Sequence, residues 1–518
     1  MICLSEKTLL LKNSTAFADF ELDAYAQLDI EVDLETPAVL ELALGEVCSG
    51  DRVNRTPGGY RIVRTMKKEC QAGKSSFAFD LPAHKSPYPY TKSVPLPSEA
   101  SGREITPFRY VDITGGSGKA LLRRKAFYGK FDDNAADFRS SNADLDRIWE
   151  FCKYTMKATS LFGLYIDGER ERQPYEGDAL SNQLGDLCCG GHPENARKTI
   201  SWLLKTPTWF NEWQLITPLL VRDYLLYTGD RAGVSSYLPE LEKLMATFKV
   251  ESNGLMRDAT GEELKKRSRR DLIDWPPAER DDYVTGEFNL TPNCYLFAAL
   301  QTMVELTGNS NYSRKAETVK KAIEENFRKG NIFVDSINSS HTALHSVLYP
   351  AYFNISTLTT EMKSLLLAKK MACSVFTAQF LLEYCFDNGL ADHGFKLLLA
   401  KGLKSYNNML AKGATITMEA WDDSLKPNQG WNHAWGAAPA NIIPRCIAGI
   451  KPLEPGFARF SVTPHPGELK EFYCKHPTPA GAIELEYKNN FYKLTVPQGL
   501  TAETRCGSFS EGTHILSR

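Results

Sequence analysis

Ser141-Asn142-Ala143-Asp144-Leu145-Asp146-Arg147-Ile148-Trp149-Glu150-Phe151-Cys152-Lys153-Tyr154-Thr155-Met156 is the stretch in which this chain changes period. Leu145, Ile148, Trp149, Cys152 and Met156 fall on one face of a helix. Ser141-x-x-Asp144 resembles a capping box and marks the helix start. Upstream the apolar period is two. Downstream, to about residue 445, it is helical.

Upstream, Leu28, Ile30, Val32 and Leu34 alternate with Asp29, Glu31, Asp33 and Glu35, a strand with one wet face. Val39 to Leu44 reads as another strand. Pro87, Pro89, Pro95 and Pro97 make 86–105 a long loop. Gly115-Gly116-Ser117-Gly118 reads as a turn, because a phosphate cradle would need a strand–loop–helix frame and a lysine that it lacks. The expected architecture is a β-sandwich.

Downstream, helices are expected near 180–204, 212–227, 238–248, 290–306, 316–327, 343–350, 360–370, 374–387, 390–403 and 433–447. Gly229 is placed as a C-cap, and Gly330 stops another helix. No fixed-length repeat is present, so a helical toroid or solenoid is expected rather than an ankyrin-type array. Near the end, Ile483, Leu485 and Tyr487 alternate, Asn489-Asn490 turns, and Tyr492, Leu494 and Val496 alternate back, a hairpin signal. The order is β, α, β. Expected domains are 1–135, 136–447 and 448–518.

The 518 residues are too many for one core. Lys and Arg number 61 against 63 Asp and Glu, with no basic tail or stripe, which excludes nucleic acid as the main partner. No apolar run reaches membrane-spanning length. Met1 to Phe20 lacks a continuous apolar core before a small-residue cleavage site, so a full-length chain is expected in the cytoplasm. Removal of a signal would instead place it in the periplasm or outside the cell. The 12 cysteines are scattered without a CxxC, which predicts buried free thiols and a reducing compartment rather than zinc or a disulfide framework.

The chemistry concentrates in Asp167-Gly168-Glu169-Arg170-Glu171-Arg172-Gln173-Pro174-Tyr175-Glu176-Gly177-Asp178, with five carboxylates and two arginines. Gly168, Pro174 and Gly177 make it a loop. Such a loop suits acid/base chemistry on a sugar, against the alternative of a solvated charge run. Its partner is Thr415-Ile416-Thr417-Met418-Glu419-Ala420-Trp421-Asp422-Asp423, where Glu419 stands near a Trp; the competing reading is a partly buried ion-paired Glu. Trp431-Asn432-His433-Ala434-Trp435 can line a pocket or simply pack. Asp274-Trp275-Pro276-Pro277 and Trp209-Phe210-Asn211-Glu212-Trp213 repeat the pairing of carboxylate and ring. His341 and His345 stand four apart, but the HExxH glutamate is missing, so packing is expected there rather than zinc.

Taken in order, these motifs resemble the α-L-rhamnosidases of glycoside hydrolase family 78, over roughly 140–518. Asp167, Arg170, Glu171 and Gly177-Asp178-Ala179 match the family's acidic loop, and Thr417-Met418-Glu419-Ala420-Trp421 its Thr-x-Trp-Glu-x-Trp motif. Ser339 to His345 is similar to its Ser/His-rich stretch, and Gly449 to Phe457 to its approach to the C-terminal sandwich. The chain departs from the family in Gly168-Glu169 for Cys-Pro, in Pro174-Tyr175 for Gly-Trp, and in a loop one residue shorter. The resemblance implies a central (α/α)6 barrel flanked by N-terminal and C-terminal antiparallel β-sandwich domains.

The resemblance also implies an inverting exo-glycosidase that releases terminal α-L-rhamnosyl units from glycosides or oligosaccharides, as in polysaccharide degradation. Glu171 would be its general acid, with Glu169 as rival, and Glu419 its general base. Asp167, Arg170 and Asp178 would hold the sugar, with Asp274, Trp275, Trp421, His433 and Trp435 around it. No metal or organic cofactor is implied. The alternatives are another (α/α)6 enzyme, such as an unsaturated glucuronyl hydrolase, and a non-catalytic carbohydrate-binding protein. The oligomeric state is left open.

Overall fold

A computed structural model describes residues 1–259 and 269–517. The N-terminal part is one continuously hydrogen-bonded antiparallel sheet of seven strands: β1 (Ile2–Lys12), β2 (Ala16–Leu34), β3 (Ala38–Gly45), β4 (Val63–Cys70), β5 (Gly73–Ala78), β6 (Thr106–Thr114) and β7 (Ser117–Phe127). Its order is β1-β7-β2-β6-β3-β4, with β5 on the free edge of β2. One long strand serves both halves: β2 pairs with β6 on both sides of a register shift between Asp19 and Ala24, and from Ala26 onward it pairs with β7 and, from Asp29, with β5. Leu28, Ile30, Val32 and Leu34 are buried, and Glu31 and Asp33 are exposed, as the period-two pattern requires. The glycine turn lies between β6 and β7. A Cβ on Gly118 would stand 2.0 Å from the carbonyl oxygen of Asp33, so only glycine fits against β2.

Helix α1 (Ala143–Thr159) buries Leu145, Ile148, Trp149, Cys152 and Met156. Its cap is Asn142 rather than Ser141: the Asn142 side chain accepts from Asp144 N–H and Leu145 N–H. The single helix expected over 180–204 is two, α2 (Glu176–Cys189) and α3 (Pro193–Lys205), parted where Gly190 takes a φ of 105°. Then follow α4 (Asn211–Thr228), α5 (Arg231–Ala246), α6 (Leu290–Thr307), α7 (Ser310–Phe327), α8 (Leu344–Tyr352), α9 (Thr360–Lys369), α10 (Val375–Asp387), α11 (Ala391–Leu398), α12 (Tyr406–Ala411) and the short α13 (Pro439–Ile442). Phe327 ends α7, and a two-residue ribbon, β9 (Arg328–Lys329) with β10 (Ile332–Phe333), turns at Gly330.

Two kinds of helix alternate. Every residue of α2 is buried, and α10 is buried from Val375 to Phe386. α7 buries only Ala316, Val319, Ala322, Ile323 and Phe327, one stripe of an otherwise charged helix. A helix buried all round lies inside others, whereas one with a single apolar stripe lies outside. The inner helices touch in sequence: α2 meets α4, α4 meets α6, α6 meets α8, α8 meets α10, α10 meets α13, and α13 returns to α2. No described helix is long and apolar enough to cross a membrane.

The C-terminal part holds two sheets. One is β11 (Ile450–Pro452), β12 (Arg459–Val462), β16 (Thr501–Thr504) and β17 (Gly507–Phe509). The other runs β18 (Gly512–Ser517), β15 (Phe491–Val496), β14 (Gly481–Lys488), β13 (Glu471–Thr478) and finally β8 (Asp137–Ser140), a strand from before α1. Asn489 and Asn490, at φ of 52° and 65°, make the tight turn between β14 and β15.

Candidate active site

The acidic segment follows α1 and enters α2 at Tyr175. It closes on itself: Asp167 N–H donates to the Gln173 carbonyl at 3.0 Å, Arg172 N–H to the Gly168 carbonyl at 3.0 Å, and Gln173 N–H to Asp167 Oδ1 at 3.1 Å. Gly168 has φ +143°, and a Cβ there would stand 2.8 Å from Asn432 Oδ1. That same oxygen accepts the Glu169 N–H at 2.7 Å, which ties the loop to the segment around His433.

The loop sends its two central glutamates in opposite directions. Arg172 donates to both Glu169 oxygens at 2.8 Å, and also to Glu104 and to the Ile105 carbonyl of the N-terminal part. Glu169 is thus consumed by a buried ion pair. Glu171 faces a cavity of about 170 Å³, together with Asp167, Arg170, Tyr175, Asp178 and Glu419. Arg170 lies between Glu171 and Glu419. Its Nε donates to Glu171 at 3.0 Å, and its two terminal nitrogens donate to Glu419 at 2.8 and 2.9 Å. The second Glu171 oxygen accepts from the Tyr175 hydroxyl. His433 Nε2 stands 2.6 Å from Asp178 Oδ1.

Two carboxylates of the cavity are shifted in opposite directions. Burial pushes Glu419 up, yet Arg170, then His433 and Lys426, outweigh it and hold the group at about 2. Lys426 Nζ is 3.2 Å from Glu419 Oε1. Asp167 moves the other way: burial, then the charge of Glu171, pushes it well above the usual carboxylate range against the pull of Arg170. Its Oδ2 is buried with no hydrogen-bond partner, on the cavity side of the loop. Trp213, Trp435, Phe210 and Trp275 supply apolar wall.

Eight of the ten residues picked out by sequence, Glu171, Glu419, Asp167, Arg170, Asp178, Trp275, His433 and Trp435, share this cavity. Asp274 and Trp421 do not line it. Asp274 is fully buried and binds His345 Nε2 at 2.7 Å and Ser374 N–H at 3.0 Å, so it holds Ser374, the residue that caps α10. Trp421 is fully buried too, its indole N–H donating to the Cys373 carbonyl at 2.8 Å and its ring on Tyr406. Both side chains are used up by buried hydrogen bonds away from the lining of the cavity. His341 and His345 serve different carboxylates, Asp335 and Asp274. Among the described residues no set of three or more His, Cys, Asp or Glu is gathered for a metal.

Six lining residues carried no usable signal of their own: Tyr88 and Tyr90 of the proline-rich loop, Arg270, Leu272, Lys426 and Asn428. Trp209 and Trp213 did, through the ring-and-carboxylate motif that opens α4.

Residues 133–447 match the model of the bacterial alpha-L-rhamnosidase 6 hairpin glycosidase domain, and residues 449–505 that of the bacterial alpha-L-rhamnosidase C-terminal domain. A curated alpha-L-rhamnosidase of Formosa agariphila is 21% identical over 384 residues, 67% of this chain and 38% of that protein. Among solved structures, the α-L-rhamnosidase of Aspergillus terreus superposes with a TM-score of 0.77 at 16% identity, covering 99% of this chain and 63% of its own. The family 78 rhamnosidase of Bacillus sp. GL1 gives 0.72 at 17%, covering 93% of this chain and 51% of its own. The alpha-L-rhamnosidase of Streptomyces avermitilis, solved with L-rhamnose, gives 0.74 at 15%, covering 97% and 50%. The chain thus spans less than two thirds of the length of each of these relatives. At such identities the superpositions establish the fold.

Proposed function

The chain belongs to the bacterial α-L-rhamnosidase family of six-hairpin glycosidases, and from that premise we propose that it hydrolyses terminal α-L-rhamnosyl linkages of glycosides or oligosaccharides, with inversion. The observation that carries the mechanism is the Arg170 guanidinium set between Glu171 and Glu419. It joins two carboxylates from distant segments and keeps them apart. A gap with a guanidinium in it suits the separation of about 6.5–9.5 Å of an inverting pair, rather than the roughly 5–5.5 Å of a retaining one.

The roles follow from the environments. Glu419, held ionised, takes a proton from the attacking water. Glu171 in its carboxylic acid form protonates the departing glycosidic oxygen, and the water oxygen bonds to the anomeric carbon from the opposite face. Asp167 and Asp178 reach the sugar hydroxyls, and Trp213 and Trp435 offer apolar surface to the methyl group of a 6-deoxy sugar. The closed succession of inner helices supports an (α/α)6 barrel with the cavity at its mouth, flanked by sheet domains at 1–135 and 448–518. A small cavity, of about 170 Å³, suits exo action.

The test is release of p-nitrophenol from a panel of p-nitrophenyl glycosides by the wild type, Glu171→Gln and Glu419→Gln. Glu419→Gln is expected to lose about 10²–10⁴ in kcat on the aryl α-L-rhamnoside, and Glu171→Gln the same on a rhamnosyl disaccharide assayed by sugar release, whose leaving group needs the proton. Nuclear magnetic resonance of the first product should show the β-anomer. Turnover within tenfold of wild type in either variant, on the substrate named for it, would sink the assignment. Cleavage of a different glycoside, lost in both variants, would keep the mechanism and move the sugar.

A further inference from the structure

We infer that Tyr88 and Tyr90, from the N-terminal part of the chain, form the leaving-group subsite of this cavity and bind a ring, aryl or sugar, attached through the scissile oxygen. The inference rests on Glu171 being the general acid. An acid that protonates the scissile oxygen must stand between the sugar and its leaving group, so whatever surface continues beyond Glu171 meets the leaving group. That surface is aromatic and runs without a break. The Tyr175 hydroxyl donates to Glu171. The Tyr175 ring meets Trp209 edge-on, with centroids 6.0 Å apart. Trp209 meets Tyr90 edge-on at 5.1 Å, and Tyr90 stacks with Tyr88 at 5.5 Å and 20°.

The rings are presented, not packed away. Tyr90 is 40% exposed and lies on the rim of the cavity. They also stand on a fixed support. Lys92 N–H donates to Gln173 Oε1 at 2.6 Å, the Ser93 hydroxyl to the Glu171 carbonyl at 2.7 Å, and Val94 N–H to the Arg172 carbonyl at 2.8 Å. The proline-rich loop is therefore bolted to the very residues that carry the acid, and its tyrosines keep one position relative to it. Rings at that spacing offer flat faces and C–H edges to another ring.

The experiment compares leaving groups on one sugar. For the wild type and the Tyr88→Ala/Tyr90→Ala double variant, kcat/KM is measured on p-nitrophenyl α-L-rhamnoside, on a rhamnosyl disaccharide and on methyl α-L-rhamnoside. The expected result is a fall of about tenfold in the ratio of ring-bearing to methyl substrate, the size two aromatic contacts give. Loss on the aryl substrate alone identifies an aryl-binding subsite, and loss on the disaccharide a sugar-binding one. An unmoved ratio overturns the inference, whether all three rates hold or all fall together, since the latter marks the tyrosines as mere support for the loop. A parallel measurement needs no turnover: binding of the aryl and methyl rhamnosides to Glu171→Gln, with and without the tyrosine changes. Should the wild type cleave no rhamnoside, the rhamnosidase reading fails by itself. The subsite then stands only if aryl glycosides bind more tightly than methyl ones and the tyrosine changes remove the difference.

Discussion

Lys426 is the residue whose removal separates charge from geometry in the cavity. Arg170 holds Glu419 with two hydrogen bonds and also positions Glu171, so changing it disturbs both. Lys426 touches Glu419 alone of the proposed pair, and its ammonium also donates to Asn428 Oδ1 at 2.8 Å. Lys426→Met removes one cation and keeps most of the volume. Glu419 then rises from about 2, and since a base works only when ionised, higher pH is needed to ionise it. The acidic limb of the kcat/KM profile is expected to move upward in the variant. A limb that stays in place would show that Arg170 and His433 suffice. At this scale the sequence was informative about composition and mute about direction. The carboxylates of the two motifs were visible because they are dense and flanked by Gly and Pro. Which of Glu169 and Glu171 faces the cavity depends on Arg172, whose φ of 49° turns the chain, and no residue-type rule announces that at an arginine.

At the scale of the element, the long inner helices α4 and α6 were read almost to the residue, α4 with its cap Gly229 at φ 73°. Short or irregular pieces were not. The helix expected at 433–447 is a 3₁₀ turn at Ala434–Gly436, then α13, then a π-turn at Ile443–Ile447. Its residues are buried on all sides, so no amphipathic period exists to reveal the breaks. The loop between α1 and α2 makes its own prediction. Gly168→Ala places a Cβ 2.8 Å from Asn432 Oδ1 and 3.0 Å from the Asn432 carbonyl, at a φ that alanine rarely adopts. We expect a loss of about 1–3 kcal/mol in urea unfolding, with a fall in kcat that exceeds the effect on KM. Equal stability of the variant would mean that the loop relaxes freely and that Asn432 does not hold it.

Across the whole molecule, acid groups buried without a compensating cation make stability depend on pH. Glu279 is fully buried, accepts one bond from Trp421 N–H at 3.3 Å and leaves Oε2 without a partner. Burial raises it from 4.5 to about 8. The folded state therefore holds this proton more tightly than the unfolded state. The corresponding stability is complete below about 4.5 and is lost as pH climbs through about 8. Within that window the loss is about 1.4 kcal/mol per pH unit for one group. Glu279→Gln keeps an acceptor for Trp421 and removes the titration. Its Tm is expected to gain on wild type as pH is raised from 5 to 8, and a constant difference across that range would refute the argument.

The three-part order was legible from the alternation of periods. The traffic between parts was not. Backbone pairing over a separation of hundreds of residues leaves no mark in local spacing. The strand Asp137–Ser140 sits at the margin of a sheet otherwise made from the end of the chain, and Lys470 N–H reaches Ser141 Oγ across 329 residues. A ribosome adding about 5–20 residues each second needs roughly 16–66 s to supply that partner. During that interval the newborn polypeptide carries an unmated ribbon edge just ahead of its helices, and their ring can close only once α13 has been made. The strand that precedes the first helix therefore finds its partner only after the helical part has left the ribosome, a delay written into the topology and not into any local spacing.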